Sequence, residues 1–163
     1  MNRADCLGII LILGFAVLQA FRGAQGMVRT LLEMIGVIVA VYISLSWYEG
    51  LATFIGMSKV LTLGILFFIF SFLLIFFAHL LSNLMEWSFG SLDAFLSFLF
   101  GIGLGWAVAH ILFKFLILLY GKTSHLAFVI GESAVGQEIL DFKSAKALIA
   151  LLYRARLGPE ITP

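Results

Sequence analysis

Four long stretches of almost uninterrupted apolar residues, separated by short polar segments, dominate the pattern of this chain. A membrane-spanning helix needs about 20 predominantly apolar residues, with a range of about 17–25. The pattern therefore predicts an all-α membrane protein with four transmembrane helices in two hairpins and a C-terminal amphipathic helix. The predicted transmembrane domain covers residues 1–121, with spans over about 6–21, 31–48, 60–81 and 93–120.

The first apolar run, Leu7 to Phe21, has two interpretations. At about 15 residues it is short for a span, and its basic start and apolar centre partly fit a cleaved signal peptide. However, Asp5 lies where such a peptide should be positive, and Leu18-Gln19-Ala20 is a poor cleavage site. We therefore expect an uncleaved first helix.

Residues 122–163 are expected to form a polar and amphipathic helical tail. Ser144 is suited to cap a helix that ends at about Leu157, where glycine and proline follow as stop signals. Such a helix lies on the bilayer surface, docks on a partner or packs on the end of the bundle. The sequence leaves these three arrangements open.

Composition agrees with a membrane protein and excludes several other classes. The chain is 63% hydrophobic and 12% charged, against about 45–50% and 25% in soluble proteins. A net charge of +1 gives no reason to expect a nucleic-acid partner. Cys6 is the single cysteine, so an internal disulfide or a cysteine metal cluster is excluded. The distribution of Lys and Arg is too even to orient the termini.

The fourth run carries a small residue at every fourth position. On a helix these positions form one narrow face, along which another helix backbone can approach closely. This predicts a helix-packing site made of Ser97, Gly101, Gly105 and Ala109. Whether the partner helix belongs to the same chain or to another one is left open.

Ionisable residues within the apolar runs are candidate functional groups, because each costs about 2.5–3.5 kcal/mol at the centre of a spanning helix. They are Glu33, His79, His110 and Lys114. A contact between Glu33 and His110 would be able to pass a proton or hold a substrate group. The structural alternatives are a headgroup-level Glu33 beside Arg29, hydrogen-bonding histidines, and a Lys114 that extends to the interface.

The sequence contains few features that are typical of a catalytic or cofactor-binding site. No serine lies in a Gly-x-Ser-x-Gly setting, and the three histidines are too scattered for a metal site. No glycine-rich phosphate loop follows a strand. We therefore expect a protein that is not an enzyme and has no catalytic residues, metal or cofactor.

Several of these residues recur as a pattern in a known family. They are Asp5 before the first span, Arg22, Gly23 and Gly26 after it, Glu33 and Gly36 in the second, Asp93, Gly101 and Gly105 in the fourth, and Ser133-Ala134-Val135-Gly136 in the tail. In them the chain resembles the colicin V production protein family, CvpA, which comprises small bacterial inner-membrane proteins with four predicted spans. Thr30, Ser97 and Leu104 differ from the residues usual in that family.

The resemblance implies a multi-pass protein of the bacterial inner (cytoplasmic) membrane with no established chemistry. Its implied role is in toxin (colicin V) production or export, or in envelope maintenance. It would act through interactions with the lipid bilayer, other inner-membrane proteins or further copies of itself. An alternative is a small oligomeric transporter or channel that uses Glu33, His110 and Lys114, and a third possibility is a membrane anchor for a partner enzyme.

Overall fold

The computed structural model describes residues 2–23, 27–84, 90, 92–121 and 123–141, which are almost entirely helical and include no strand. Their helices are α1 (Arg3–Gly23), α2 (Met27–Ile55), α3 (Lys59–Ser82), α4 (Leu92–Tyr120), α5 (His125–Glu132) and α6 (Ala134–Asp141). The first four are long and apolar enough to cross a membrane. The prediction of an all-α membrane protein with four spanning helices is thus confirmed. The predicted helix over residues 144–157 lies outside the described residues, and so does Gly26, one of the residues on which the resemblance rests.

Local sequence explains where the helices stop and start between α2 and α3. Gly56 has φ of 74°, a left-handed conformation that glycine adopts without a steric penalty. The Met57 N–H donates to the Ala52 carbonyl at 3.1 Å, which closes the end of α2. Ser58 then caps α3, its hydroxyl accepting from the Leu61 N–H at 3.3 Å. The chain therefore reverses within a few residues.

The spanning helices pack in the order α1, α4, α2, α3. The most extensive contacts are between α1 and α4 and between α2 and α3, while α4 also packs on α2. Successive helices α1 and α2 contact each other at only a few places. Helices α2 and α3 thus form a packed hairpin, whereas α1 and α2 are separated by α4. The prediction that the first two spans and the last two spans form two hairpins is therefore wrong. The close contact between α1 and α4 is made along the small-residue face of α4, where Gly101 and Gly105 lie against the backbone of α1.

Two apolar clusters hold the helices together. The first joins α2, α3 and α4 and contains Val37, Val41, Leu63, Leu104, Ala107 and Ile111. The second joins α1 and α4 to the two short helices and contains Ala4, Ala109, Phe113, Ile130 and Ile139. Helices α5 and α6 therefore belong to the same packed body as the spans.

The outer surface of the spanning helices is apolar and faces the bilayer. On α3, Phe68, Phe72 and Phe76 form an exposed row at every fourth residue. Helix α1 has 21 residues, or about 31 Å at 1.5 Å per residue, which matches the roughly 30 Å hydrocarbon core of a bilayer. The chain is a multi-pass membrane protein whose immediate partner is lipid.

Candidate functional site

A buried carboxylate ties α1 to α2 at one end of the bundle. Glu33 is 3% exposed. Its Oε2 accepts from Nη1 of Arg22 at 3.1 Å and from Nε2 of Gln19 at 3.0 Å, both on α1. Its Oε1 accepts from Nε of Arg29 at 3.1 Å, one turn earlier on α2. A carboxylate placed beside apolar helices is thus paired with two guanidiniums and hydrogen-bonded by an amide.

Two hydroxyls connect α2 to α4 at the same end. Thr30 donates to the Met27 carbonyl at 2.7 Å, so the Ser97 hydroxyl is the donor in its 2.8 Å contact with Thr30. Both residues are essentially fully buried. A Cβ added to Gly23 of α1 would clash with the Ser97 side chain. Ser97 therefore sits where α1, α2 and α4 meet.

The small-residue face of α4 lies against α1 inside the chain. A Cβ added to Gly101 would lie 2.6 Å from the Ala16 Cα, and one added to Gly105 would lie 2.7 Å from the Ile12 Cα. Both distances are to backbone atoms, which cannot yield as a flexible side chain does. Ala109 is fully buried as well. The whole small-residue face of α4 is therefore packed against other residues of the same chain.

A second polar cluster lies at the opposite end, where α1 begins. Oδ2 of Asp5 accepts from the Asn2 backbone N–H at 2.7 Å, which caps α1 itself. Oδ1 of Asp5 accepts from the Ser133 hydroxyl and, at 3.1 Å, from the Val135 N–H in the first turn of α6. Ser133 in turn accepts from the Gly136 N–H at 2.8 Å. One carboxylate therefore caps two helices.

Two further contacts hold α5 and α6. Nδ2 of Asn2 donates to the Val129 carbonyl of α5 at 2.7 Å. Nδ1 of His110 lies 2.7 Å from the Ile139 carbonyl near the end of α6, and because a carbonyl only accepts, Nδ1 carries the proton. A Cβ on Gly8 would meet the Ile139 side chain at 2.9 Å. Helix α6 is thus held at its start by α1 and near its end by α4. We call α5 and α6, with Ser133 between them, the docked unit.

The four candidate ionisable residues are not brought together. Thr30 lies one turn before Glu33 on α2 and contacts Ser97 of α4, so Glu33 is near the depth of Ser97. His110 lies 13 residues after Ser97, which places it about 20 Å further along α4. Glu33 and His110 therefore form no proton-passing pair. His79 and Lys114 lie on the exposed surface. Asp5 and Ser133, two of the residues on which the resemblance rests, are in contrast in direct contact.

Sequence reasoning missed two contributors to these clusters. Gln19 is the one amide in the first apolar run and is 2% exposed; its isolation among apolar residues was the available signal. Asn2 gave no signal, since its partner Val129 lies 127 positions away.

A cavity of about 460 Å³ lies between α2 and α4. Its lining is apolar apart from His110, the Tyr42 hydroxyl and the Trp106 indole N–H, and includes Val41 and Ala107. Among the described residues, no group of three His, Cys, Asp or Glu side chains is arranged to hold a metal ion. The arrangement is suited to binding apolar groups.

Comparison of the chain with models of protein families, with curated proteins and with solved structures gave no match.

Proposed function

We propose that this chain is a non-enzymatic protein of the bacterial inner membrane that acts by binding other membrane components. The observation that carries the proposal is that polar side chains within the spanning helices hold the docked unit. A buried carboxylate or imidazole in a spanning helix is costly unless it has partners. Asp5 and His110 both find a partner in the docked unit. This favours a role for the spans as a platform that presents the unit at one end.

The surface that the unit presents supports interaction with a partner. Ile130 and Ile139 of the docked unit are buried against the spans, while Glu132 and Asp141 are exposed. The partner would be another inner-membrane protein or a second copy of the chain. In the resembled CvpA family, the corresponding role is toxin (colicin V) production or export, or envelope maintenance.

The proposal is tested by crosslinking in intact bacterial inner membranes, followed by purification of the full chain in mild detergent. A release variant, Asp5→Ala with His110→Leu, removes the contacts of Asp5 with Ser133 and Val135 and the contact of His110 with Ile139. Lys59→Gln serves as control, because Lys59 is an exposed cation at the same end and does not contact the unit. Partners that crosslink to the wild type and control, but about tenfold less to the release variant, support the proposal. Equal capture by all three, or no capture by the wild type, refutes it.

A small oligomeric transporter or channel is the second candidate, and the cavity between α2 and α4 favours it. The cavity reaches His110, one of the ionisable residues on which transport would depend. Against it, Glu33 is already paired with two arginines at the other end of the bundle.

A further inference from the structure

We propose that the cavity between α2 and α4 is a binding site for an acyl chain of a bilayer lipid. The role proposed above, in which the spans present the docked unit, does not require such a site. The volume of about 460 Å³ is within the range of about 300–1,000 Å³ that is typical of ligand sites. The class of ligand follows from the depth of the cavity in the bilayer, from its lining and from the side on which it opens.

The cavity exists because two neighbouring positions of α4 carry little or no side chain. Gly103 and Ala107 lie one turn apart on the same face of α4, and both line the cavity. Val41 and Leu45 of α2 line it as well and do not fill the remaining space. A void forfeits dispersion contacts along its walls. A molecule that fills it is therefore stabilised by contact, which is also what holds helices together in lipid.

The cavity lies near the centre of the bilayer. Val41 is the middle residue of α2 and Trp106 is the middle residue of α4, so each is about 21 Å from either end of its helix. Gly105, next to Trp106, packs on Ile12 near the middle of α1. All three helices therefore give the same depth, at which the surrounding solvent is hydrocarbon.

Water and charged solutes do not match the lining of the cavity. A buried water molecule needs about 2–4 polar partners, and the polar groups here are His110, the Tyr42 hydroxyl and the Trp106 indole N–H. Nδ1 of His110 already donates to the Ile139 carbonyl. None of the described lining residues carries a carboxylate, an ammonium or a guanidinium group. The lining therefore favours an apolar occupant.

The cavity is continuous with the surface that faces the bilayer. Tyr42 and Ile38 at its rim are 73% and 44% exposed. Val41, Ala107 and His110 at its floor are 7%, 7% and 6% exposed. A chain that enters from the bilayer therefore contacts buried side chains that the ordinary lipid shell around the spans does not reach.

A flexible, unbranched hydrocarbon chain is the molecule that meets these conditions. Bilayer lipids supply such chains at this depth, whereas their headgroups lie about 15 Å away at either surface of the hydrocarbon core. The site therefore recognises the chain and makes no contact with the headgroup.

The first test identifies the occupant in the unaltered full chain, reconstituted in nanodiscs of phosphatidylcholine. Solution NMR measures nuclear Overhauser effects from single methyl groups to lipid chains, to water and, in mixtures of differently labelled chains, to a second copy. The Ala107 methyl group should contact lipid chains and not water. Ala16 is the matched control, because it is fully buried where α1 meets α4 and should contact neither. Ile10, which is exposed to the bilayer, gives the positive signal.

The second test separates a bound chain from the general lipid shell. Ala107→Leu extends a side chain into the cavity, whereas Gly14→Leu adds a leucine where nothing lies within 4 Å of the new Cβ. After delipidation in an uncharged detergent, native mass spectrometry counts the phosphatidylcholine molecules that remain bound. This lipid has no net charge, so its retention does not report electrostatic attraction of the headgroup. The wild type and Gly14→Leu should retain it, and Ala107→Leu should retain about tenfold less.

The proposal is overturned if the Ala107 methyl group contacts water or a second copy of the chain, or if it contacts no lipid. It is also overturned if Ala107→Leu retains as much phosphatidylcholine as the wild type.

Discussion

Asp5 and Ser133 are 128 residues apart in the chain and are joined by a hydrogen bond in which the serine hydroxyl donates to the carboxylate. The same carboxylate caps its own helix through the Asn2 N–H and caps α6 through the Val135 N–H. Two helices from opposite ends of the described chain thus begin at one side chain. This contact fixes the position of the docked unit on the spans.

Asp5→Ala should loosen the start of α6. The change removes the acceptor for Ser133 and Val135, and hydrogen bonds to a charged group contribute about 1.5–3 kcal/mol each. Hydrogen exchange at the Val135 and Gly136 amides should accelerate about tenfold or more, while exchange in α3 stays unchanged. Glu132→Gln is the control, since this exposed acid makes no contact that holds the unit. Unaltered exchange in Asp5→Ala would show that the carboxylate does not hold α6.

His110 should act on the other end of α6 through its Nδ1 proton. His110→Leu removes the donor to the Ile139 carbonyl, whereas His110→Asn keeps an N–H group near the position of Nδ1. We expect a cysteine placed at Leu140 to react several-fold faster with a water-soluble maleimide in His110→Leu than in His110→Asn. Cys6 is replaced by serine in both. Equal reaction rates in the two variants would argue against this contact.

The close approach of α1 and α4 should make Gly101 and Gly105 intolerant of any side chain. Even alanine at Gly101 places a Cβ 2.6 Å from a backbone atom of α1, and overpacking of this kind costs about 1–3 kcal/mol. Gly101→Ala and Gly105→Ala should each lower the thermal midpoint in detergent, and leucine should lower it further. Gly14→Ala is the control, because nothing lies within 4 Å of its added Cβ. Gly101→Leu with an unchanged midpoint would contradict the packing described.

Removing the Glu33 carboxylate and removing the two guanidiniums paired with it should lower the stability of the protein by different amounts. Arg22→Ala with Arg29→Ala leaves a carboxylate that is 3% exposed without a cation, and breaking a buried pair in this way costs about 3–5 kcal/mol. Glu33→Gln leaves two partly exposed arginines that are hydrated at the interface, so it should cost clearly less. Thermal unfolding of both variants compares the two effects. A larger loss in Glu33→Gln would show that the acid is not the buried partner.

The spans were predictable from sequence because lipid demands long apolar helices. The predicted third span, residues 60–81, nearly coincides with α3, Lys59–Ser82. The small-residue face of α4 was also recognisable, but its partner was not, since close packing depends on the shape of both helices. Nothing in the local sequence of α1 indicates that Ala16 rather than a residue of α2 lies opposite Gly101. The Asp5–Ser133 contact could not be predicted for the same reason. Both residues were recognised in the sequence, but whether they contact each other depends on the whole fold.

The central claim is that the buried ionisable groups hold the helices and the docked unit in place and do not carry protons or substrates. Proton flux into liposomes that contain the purified chain tests it most directly, with a pH-sensitive dye inside and an imposed membrane potential. We predict flux equal to that of protein-free liposomes. Flux above that level, reduced by Glu33→Gln or His110→Asn, would contradict the claim and favour a transporter.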